Sequence, residues 1–312
     1  MRWSSLIVLF GIALIAVRGD AGDKEKKEPE KAADKKPYLL VVPPAGGKEV
    51  KLADWRFTHG TRRLALTGDT PVNPKTKTPA GPEYLEVREE KTTTYKNGIF
   101  TFVPLTSVRK IDYDREKKTF SATVLSDGGA ETTLLGSTKF TSNKITIEGE
   151  ALLDGLGAAT VKFNGGIDKG LHSVKFPDAK PADKLKGATA VVTADDKEKT
   201  KHTAHDVQPV FLVDGQYRVM AYVMFKKTVK IDWDNLAGLR FVPSEDKKKI
   251  STDYLVTLKD GVKHTLSILN TVELEKKKTM TFVGLIGRVP VGYKLFMLDA
   301  IYEYQLTAEE KK

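Results

Sequence analysis

The chain has 312 residues, of which 51 are Lys or Arg and 41 are Asp or Glu, so its formal net charge is +10, and it contains no Cys. The absence of Cys excludes disulfides, thiol nucleophiles, Cys-based zinc sites and iron–sulfur clusters. Of the 51 basic residues, 40 are Lys, whose ammonium is a compact, strongly hydrated charge. Arg, which binds phosphates through two parallel hydrogen bonds and stacks on bases, is the minority. The composition therefore predicts no sequence-specific nucleic-acid binding and leaves room for a weak affinity for acidic polymers.

Residues 1–19 have the layout of a secretory signal peptide. They carry an early Arg2, an apolar run from Leu6 to Val17, and then small and charged residues. The apolar run is shorter than the roughly 20 residues that a helix needs to span a bilayer. We predict cleavage after Gly19 or Ala21, export to the periplasm, cell surface or medium, and no transmembrane segment after cleavage. Loss of Arg2 and Arg18 leaves 49 basic and 41 acidic residues, a mature charge of +8.

Two polar stretches divide the rest of the chain. Residues 20–37 hold six acids and six Lys and no apolar residue larger than Ala, so they are predicted to be a disordered charged tether. Residues 177–206 contain Pro and are charged at both ends, which predicts a linker with one short strand in "ATAVVTA". The predicted domains are therefore β domain 1 at 38–176 and β domain 2 at 207–306, followed by a polar tail at 307–312.

Both predicted domains show a period of two between apolar residues. In "KTFSATVL", for example, Phe120, Ala122 and Val124 share one face. Such alternation predicts strands, and the Asn-Gly and Asp-Gly pairs between the runs suit tight hairpin turns. No long amphipathic helix pattern is present. We therefore predict an all-β protein with few helices.

An apolar spacing of three recurs where one strand run passes into the next. It is formed by Leu105, Val108 and Ile111, then by Leu298, Ile301 and Tyr304, and in a third place by Leu236, Leu239 and Val242. Apolar residues three apart suit a tight 3₁₀-like turn, in which side chains at i and i+3 eclipse. We interpret these turns as plugs that close the ends of small barrels.

The succession of strands and turns resembles that of SH3-like small barrels. The resemblance implies two tandem, small antiparallel β-barrel or sandwich modules, related by an internal repeat. It implies no activity, because function depends on sites rather than on folds.

The best metal-like group in the sequence is "KHTAHD", with His202, His205 and Asp206. Zinc binds His nitrogen and carboxylate oxygen. However, the two His are three residues apart, where a helical His-Glu-x-x-His site needs four. The alternative is a solvated linker, which predicts no metal, and no other motif predicts a cofactor.

Three pairs of acidic residues have spacings that could serve metal binding or catalysis. Asp112 with Asp114, and Asp232 with Asp234, alternate in a way that calcium would accept. On a strand, however, alternate acids simply line the solvent-exposed face, while Tyr113 and Trp233 between them face the core. Glu86 and Glu90 would suit a glycosidase pair, but an exposed Glu–Arg–Glu ladder explains the same residues.

Three Lys-rich segments at predicted strand ends, residues 114–120, 244–251 and 273–280, could form a binding surface. Each contains an acid beside its lysines, and the two richest hold Lys247, Lys248, Lys249, Lys276, Lys277 and Lys278. They predict a weak polyanion patch, or else hairpin ends that keep sheet edges soluble. The sequence predicts an exported, non-enzymatic β protein that binds a cell-envelope component, an acidic polymer or a protein. The alternative is a secreted hydrolase with an unidentified carboxylate or His site.

Overall fold

The structure is a computed structural model that describes residues 38–42, 48–59, 63–65, 84–88, 98–114, 116–117, 119–137, 145–153, 157–165, 172–213, 216–226, 229–243, 253–268, 271–273 and 279–307. Within these ranges the chain forms strands, turns and short 3₁₀ turns, which confirms the prediction of an all-β protein. No helix in the described part of the chain is long and apolar enough to cross a membrane.

The first eleven strands lie in the region predicted as domain 1. They are β1 (Leu39–Val42), β2 (Val50–His59), β3 (Arg63–Ala65), β4 (Tyr84–Arg88), β5 (Ile99–Pro104), β6 (Val108–Asp114), β7 (Thr119–Leu125), β8 (Glu131–Ser137), β9 (Ile145–Leu153), β10 (Gly157–Gly165) and β11 (Ser173–Lys175). Eight of them form one sheet, sheet A, in the order β10-β9-β2-β1-β11-β6-β7-β8.

The remaining strands begin inside the predicted linker. They are β12 (Thr189–Ala194), β13 (Lys201–Val213), β14 (Gln216–Val219), β15 (Tyr222–Phe225), β16 (Val229–Asp232), β17 (Leu236–Phe241), β18 (Asp253–Leu258), β19 (Lys263–Ser267), β20 (Thr271–Glu273), β21 (Thr279–Val289), β22 (Gly292–Met297) and β23 (Ile301–Leu306). The main path of the second sheet, sheet B, is β19-β18-β17-β23-β12-β13-β21-β22-β5-β4. β14, β20 and β3 branch from it, and β15 pairs with β16 alone.

Antiparallel pairing dominates both sheets, and the parallel β3–β14 pair is the exception among the described strands. Neither sheet closes on itself: the described path of sheet A ends at β10 and β8, and that of sheet B at β19 and β4. The described strands thus form open sheets, and the structure does not confirm the finer prediction of closed SH3-like barrels.

The buried side chains form three clusters. Core A contains residues of 39–176, among them Leu39, Trp55 and Phe120. Core B comes mostly from residues after 189, among them Phe211 and Trp233. Core C, a smaller cluster of strands in sheet B, consists of Phe100, Phe102, Val210, Tyr217, Val283, Ile286, Leu295 and Met297. β4 pairs with β5, which pairs in turn with β22. Because Leu85, Val87 and Val103 of this strand pair belong to core A, and Phe100 and Phe102 belong to core C, the two cores lie on its two sides.

Three 3₁₀ turns that the structure describes in full connect strands directly: η1 (Leu105–Ser107), η2 (Trp233–Asn235) and η3 (Leu298–Ala300). In each, the first residue of the following strand donates its N–H to the carbonyl of the first turn residue. The predicted turns at Leu105 and Leu298 are confirmed. The third turn was predicted three residues too late, since it begins at Trp233 and Leu236 already belongs to β17.

The strand after each turn also carries an irregularity at the same position. The register of β6 with β7 shifts around Arg109, that of β17 with β18 around Ala237, and that of β23 with β12 around Tyr302. An extra residue at that point bends the strand and increases its twist. The three turn-and-strand units are thus alike in geometry, while their origin by duplication stays a prediction.

The predicted linker holds both regular and irregular chain. β12 confirms the strand expected in "ATAVVTA", β13 begins at Lys201, and residues 176–188 form no strand. The domain boundaries stay predictions. The predicted signal peptide, the tether, the tail beyond Thr307 and the six lysines at 247–249 and 276–278 lie outside the described residues.

Candidate functional site

A cleft of about 340 Å³ opens beside η2. Its volume is within the range of about 300–1,000 Å³ that is usual for ligand sites. Six separate stretches of chain line it, through Ala188, Asp206, Val207, Gln208, Val219, Met220, Ala221, Trp233, Asp234, Leu236, Lys259, Tyr304 and Leu306.

The floor of the cleft is built around Trp233. Its indole N–H donates to the carbonyl of Val207 at 2.5 Å, and its ring lies 5.1 Å from that of Tyr304. Trp233, Leu236 and Tyr304 are all buried, and burial raises the pKa of Tyr304 to about 12. The floor is therefore an apolar, rigid surface whose indole donor is already satisfied.

One wall of the cleft is a bulge in β13. The register of β13 with β21 shifts between His205 and Gln208, and Asp206 has a positive φ of 48°. Asp is among the residues that tolerate this left-handed conformation, and bulges often re-aim side chains beside functional sites. The Gln208 amide donates to the Asp206 carboxylate at 3.1 Å, so the bulge presents a carboxylate and an amide together.

The rim carries charges of both signs. Asp206, Asp234 and Lys259 are exposed at the cleft. No ion pair between described residues engages Asp234 or Lys259. An apolar floor with unpaired charges at its edge suits a ligand that has both an apolar part and polar or charged groups.

The structure separates the three residues of the predicted metal group. All three lie on β13, where His202 and Asp206 are four residues apart and His205 is three from His202. The His202 ring lies 5.4 Å from the Phe296 ring at a tilt of 51°, whereas His205 Nδ1 lies 3.4 Å from the Thr189 hydroxyl. The described residues contain no group of three or more His, Asp or Glu arranged to hold a metal ion.

The expected exposed ladder of Glu86, Arg88 and Glu90 is wrong at Glu86. This residue was predicted to point to solvent, yet it is 5% exposed. The reason is that both faces of β4 are covered: Leu85 and Val87 pack in core A, while Glu86 lies opposite Phe102 of core C. Glu90 lies outside the described residues.

The alternating acids mostly lie as predicted. Tyr113 and Trp233 are buried, while their neighbours Asp112 and Asp114 are half-buried and Asp232 is exposed. Asp234 differs, because it sits in the 3₁₀ turn η2 rather than on a strand and so reaches the cleft.

The Lys-rich tip between β6 and β7 is the one that the structure describes in part. The Lys117 ammonium lies 3.1 Å from the Asp114 carboxylate, and the Lys117 backbone N–H donates to the same carboxylate at 2.9 Å. This hydrogen bond is the main reason that the pKa of Asp114 is lowered. The acid in the tip therefore offsets part of its positive charge.

A second polar surface adjoins the bulge. His205 faces Arg288 across β13 and β21, the Arg288 guanidinium lies 5.9 Å from the Tyr293 ring, and that ring packs edge-on to Tyr84 at 5.9 Å. Burial raises the pKa of both tyrosines. Tyr84 and Tyr293 of this group pack on core C.

No pattern in the sequence predicted the cleft. Trp233 was expected to be a core residue, and Lys259 and Gln208 were not singled out. One local pattern does indicate the turn beside the cleft. Trp233, Leu236 and Leu239 are apolar residues three apart, and this series begins three residues before the predicted series that starts at Leu236. Comparison of the chain with protein-family models, with curated proteins and with solved structures found no significant match.

Proposed function

We propose that the protein is exported and acts without catalysis, by binding a component of the cell envelope at the cleft beside Trp233. The observation that supports this proposal is the cleft itself, with a rigid apolar floor and with Asp206, Asp234 and Lys259 at its rim. Its partner is a protein or polymer of the periplasm, cell surface or medium. The two sheets act as tandem modules, of which sheet B holds the site, and the lysines at 247–249 and 276–278 add weak affinity for acidic polymers.

Export rests on the signal-like sequence of residues 1–19. The test is N-terminal sequencing of the native protein, which should begin between Asp20 and Asp23. A native protein that keeps Met1 and stays in the cytosol would refute export.

Binding at the cleft is tested by capture of envelope components on the mature protein. The variant is Asp206→Lys with Asp234→Lys, which reverses both rim carboxylates. The control is Asp232→Lys, an exposed acid two residues before Asp234 that does not line the cleft. A partner that the control retains and the cleft variant loses supports the proposal, and equal retention by both refutes it.

The second candidate is a secreted hydrolase, and the pair of carboxylates in one cleft favours it. Two carboxylates can share general acid and base roles during hydrolysis. Under this alternative, Asp234→Asn or Asp206→Asn should abolish turnover of the captured component while binding persists. Under the proposed binding function, the captured component is recovered chemically unchanged by both the wild type and the variants.

A further inference from the structure

The turn η1 is covered by a segment of the same chain, residues 178–186, which we name the strap. The Lys180 backbone N–H donates to the carbonyl of Thr106 at 2.7 Å, and the Ala182 N–H donates to the carbonyl of Leu125 at 3.3 Å. The Ala182 side chain is buried. An extended peptide thus satisfies two backbone acceptors beside this turn.

The two acceptors have counterparts beside η2. Thr106 is the second residue of η1, as Asp234 is the second residue of η2. Val124 pairs with the first residue of β6, as Leu258 pairs with the first residue of β17, so that Leu125 and Lys259 occupy matching positions. The same correspondence extends to η3. The Lys259 N–H donates to the carbonyl of Asn235, the last residue of η2, and the Asp195 N–H donates to the carbonyl of Ala300, the last residue of η3.

At η2 these matching positions line the cleft instead of lying under a strap. Asp234 and Lys259 both border it. No turn or loop hydrogen bond between described residues uses the carbonyl of either residue. The cleft therefore lies where a strap covers the equivalent turn, and it offers the same two kinds of acceptor.

We propose that the cleft binds an extended, lysine-bearing peptide segment of a partner protein in the way that the strap binds η1. This inference rests on the proposed function and names its ligand class. Two peptide N–H groups, two residues apart, donate to the carbonyls of Asp234 and Lys259. A small side chain between or beside them packs on the floor formed by Trp233 and Leu236.

Charge selects the sequence of that peptide. The rim holds two carboxylates, Asp206 and Asp234, against one ammonium, Lys259, so its formal charge is −1. Complementary charge speeds association and excludes acidic competitors. The strap itself carries three lysines against two aspartates around its buried Ala182, a formal charge of +1, so its sequence is a starting point for such a ligand.

The experiment titrates a blocked synthetic peptide with the strap sequence, "DAKPADKLK", into the isotope-labelled mature protein. The covalent strap keeps η1 occupied, because its effective concentration reaches the millimolar range. The indole N–H signal of Trp233 should shift, while that of Trp55 in core A should not. A peptide with N-methyl groups at the positions of Lys180 and Ala182 should bind about tenfold more weakly per lost donor, and a peptide methylated at the position of Asp183 should bind normally.

Protein variants locate the site independently. Asp234→Lys should weaken the unmodified peptide by about tenfold or more, and the control Asp232→Lys should leave its affinity unchanged. A peptide in which Asp replaces each Lys should bind more weakly than the original to the wild type.

The inference is overturned if Trp233 does not shift at millimolar peptide, or if its shift is the same with the N-methylated peptide. It is also overturned if the protein forms a dimer that Asp234→Lys disrupts, because a second copy would then be the occupant. A saccharide that shifts Trp233 when the peptide does not would also overturn it. In that case the proposed function stands if the cleft variant still loses its captured partner. The proposed function fails separately if capture is the same with both variants.

Discussion

The indole N–H of Trp233 is bonded to the backbone carbonyl of Val207, which lies in the bulge of β13. This one bond links η2 to β13 across 26 positions of sequence. Because Val207 is flanked by Asp206 and Gln208, the bond also places the polar wall of the cleft against its aromatic floor. The shape of the site and the stability of core B therefore depend on the same contact.

Trp233→Phe should lower the free energy of unfolding by about 1–3 kcal/mol, because the Val207 carbonyl would stay buried without its donor. Urea denaturation of the mature protein measures the change. Tyr304→Phe keeps an aromatic ring against Trp233 and leaves the hydrogen bond from Trp233 to Val207 intact. It should therefore lower the free energy of unfolding by less. Equal losses in the two variants would show that the bond contributes little.

Tyr113→Phe should leave stability unchanged or raise it by about 1 kcal/mol. The Tyr113 hydroxyl is buried in core A and has no hydrogen-bond partner among the residues that the structure describes. Its removal relieves an uncompensated desolvation, and the ring is retained. The neighbouring Phe120→Leu, which opens a void in the same core, should instead cost about 1–3 kcal/mol. Destabilisation by Tyr113→Phe in a urea titration would mean that the hydroxyl has a partner after all.

The protein should lose stability at alkaline pH through its buried tyrosines. Burial raises the pKa of Tyr304 to about 12, and it raises the pKa values of Tyr113 and Tyr254 as well. A tyrosine in the unfolded chain titrates near 10, so this stabilisation is fully present below about pH 10 and is lost as pH rises through about 12. Denaturant unfolding at a series of pH values should show a shallower alkaline loss for Tyr304→Phe. Parallel curves for variant and wild type would contradict the assignment.

Gly284→Ala should destabilise the fold by about 1–3 kcal/mol or more. A Cβ at this position would lie 1.9 Å from the carbonyl oxygen of Phe296 on the adjacent strand, so β21 and β22 would have to separate. Gly128→Ala is the control, because its Cβ would meet nothing closer than the Ser126 hydroxyl at 4.0 Å. Thermal unfolding of the two variants should differ clearly. Similar midpoints would show that β21 tolerates the displacement.

Binding to a soluble polyanion such as heparin should be weak and should disappear as salt is raised, because counterion release governs such binding. Replacing the six lysines at 247–249 and 276–278 by Gln should remove most of it. Stability should barely change, since exposed charge pairs contribute about 0–1 kcal/mol each. The matched control replaces the six lysines of residues 20–37, which removes the same charge. Binding that survives near molar salt would point to a shaped site.

The strands could be predicted from the sequence, because a strand that is buried on one face has an apolar residue at every second position. Phe120, Ala122 and Val124 alternate as predicted and are all buried in core A. The 3₁₀ turns were predictable for a similar reason, since Leu105 and Val108 are three apart and both buried. Glu86 was misplaced because alternation assumes one wet face, whereas β4 lies between two cores.

The cleft was not predictable because its lining is assembled by tertiary structure. Ala188, Gln208, Lys259 and Leu306 are far apart in sequence, and no local pattern joins them. The correspondence between Leu125 and Lys259 likewise appears only in strand registers. The pairing of strands, rather than any motif, decides which side chains share the site.

The position of β23 has a consequence for how the protein is made. It is the last described strand in the chain, yet it lies between β12 and β17, pairing Tyr304 with Val192 on one side and with Leu239 on the other. Sheet B therefore lacks its central seam until residue 306 has been synthesised. Contacts of such long sequence separation form slowly. Under the export that we propose, the chain has to stay unfolded until it is translocated, and a sheet that cannot be completed before its last strand delays premature folding.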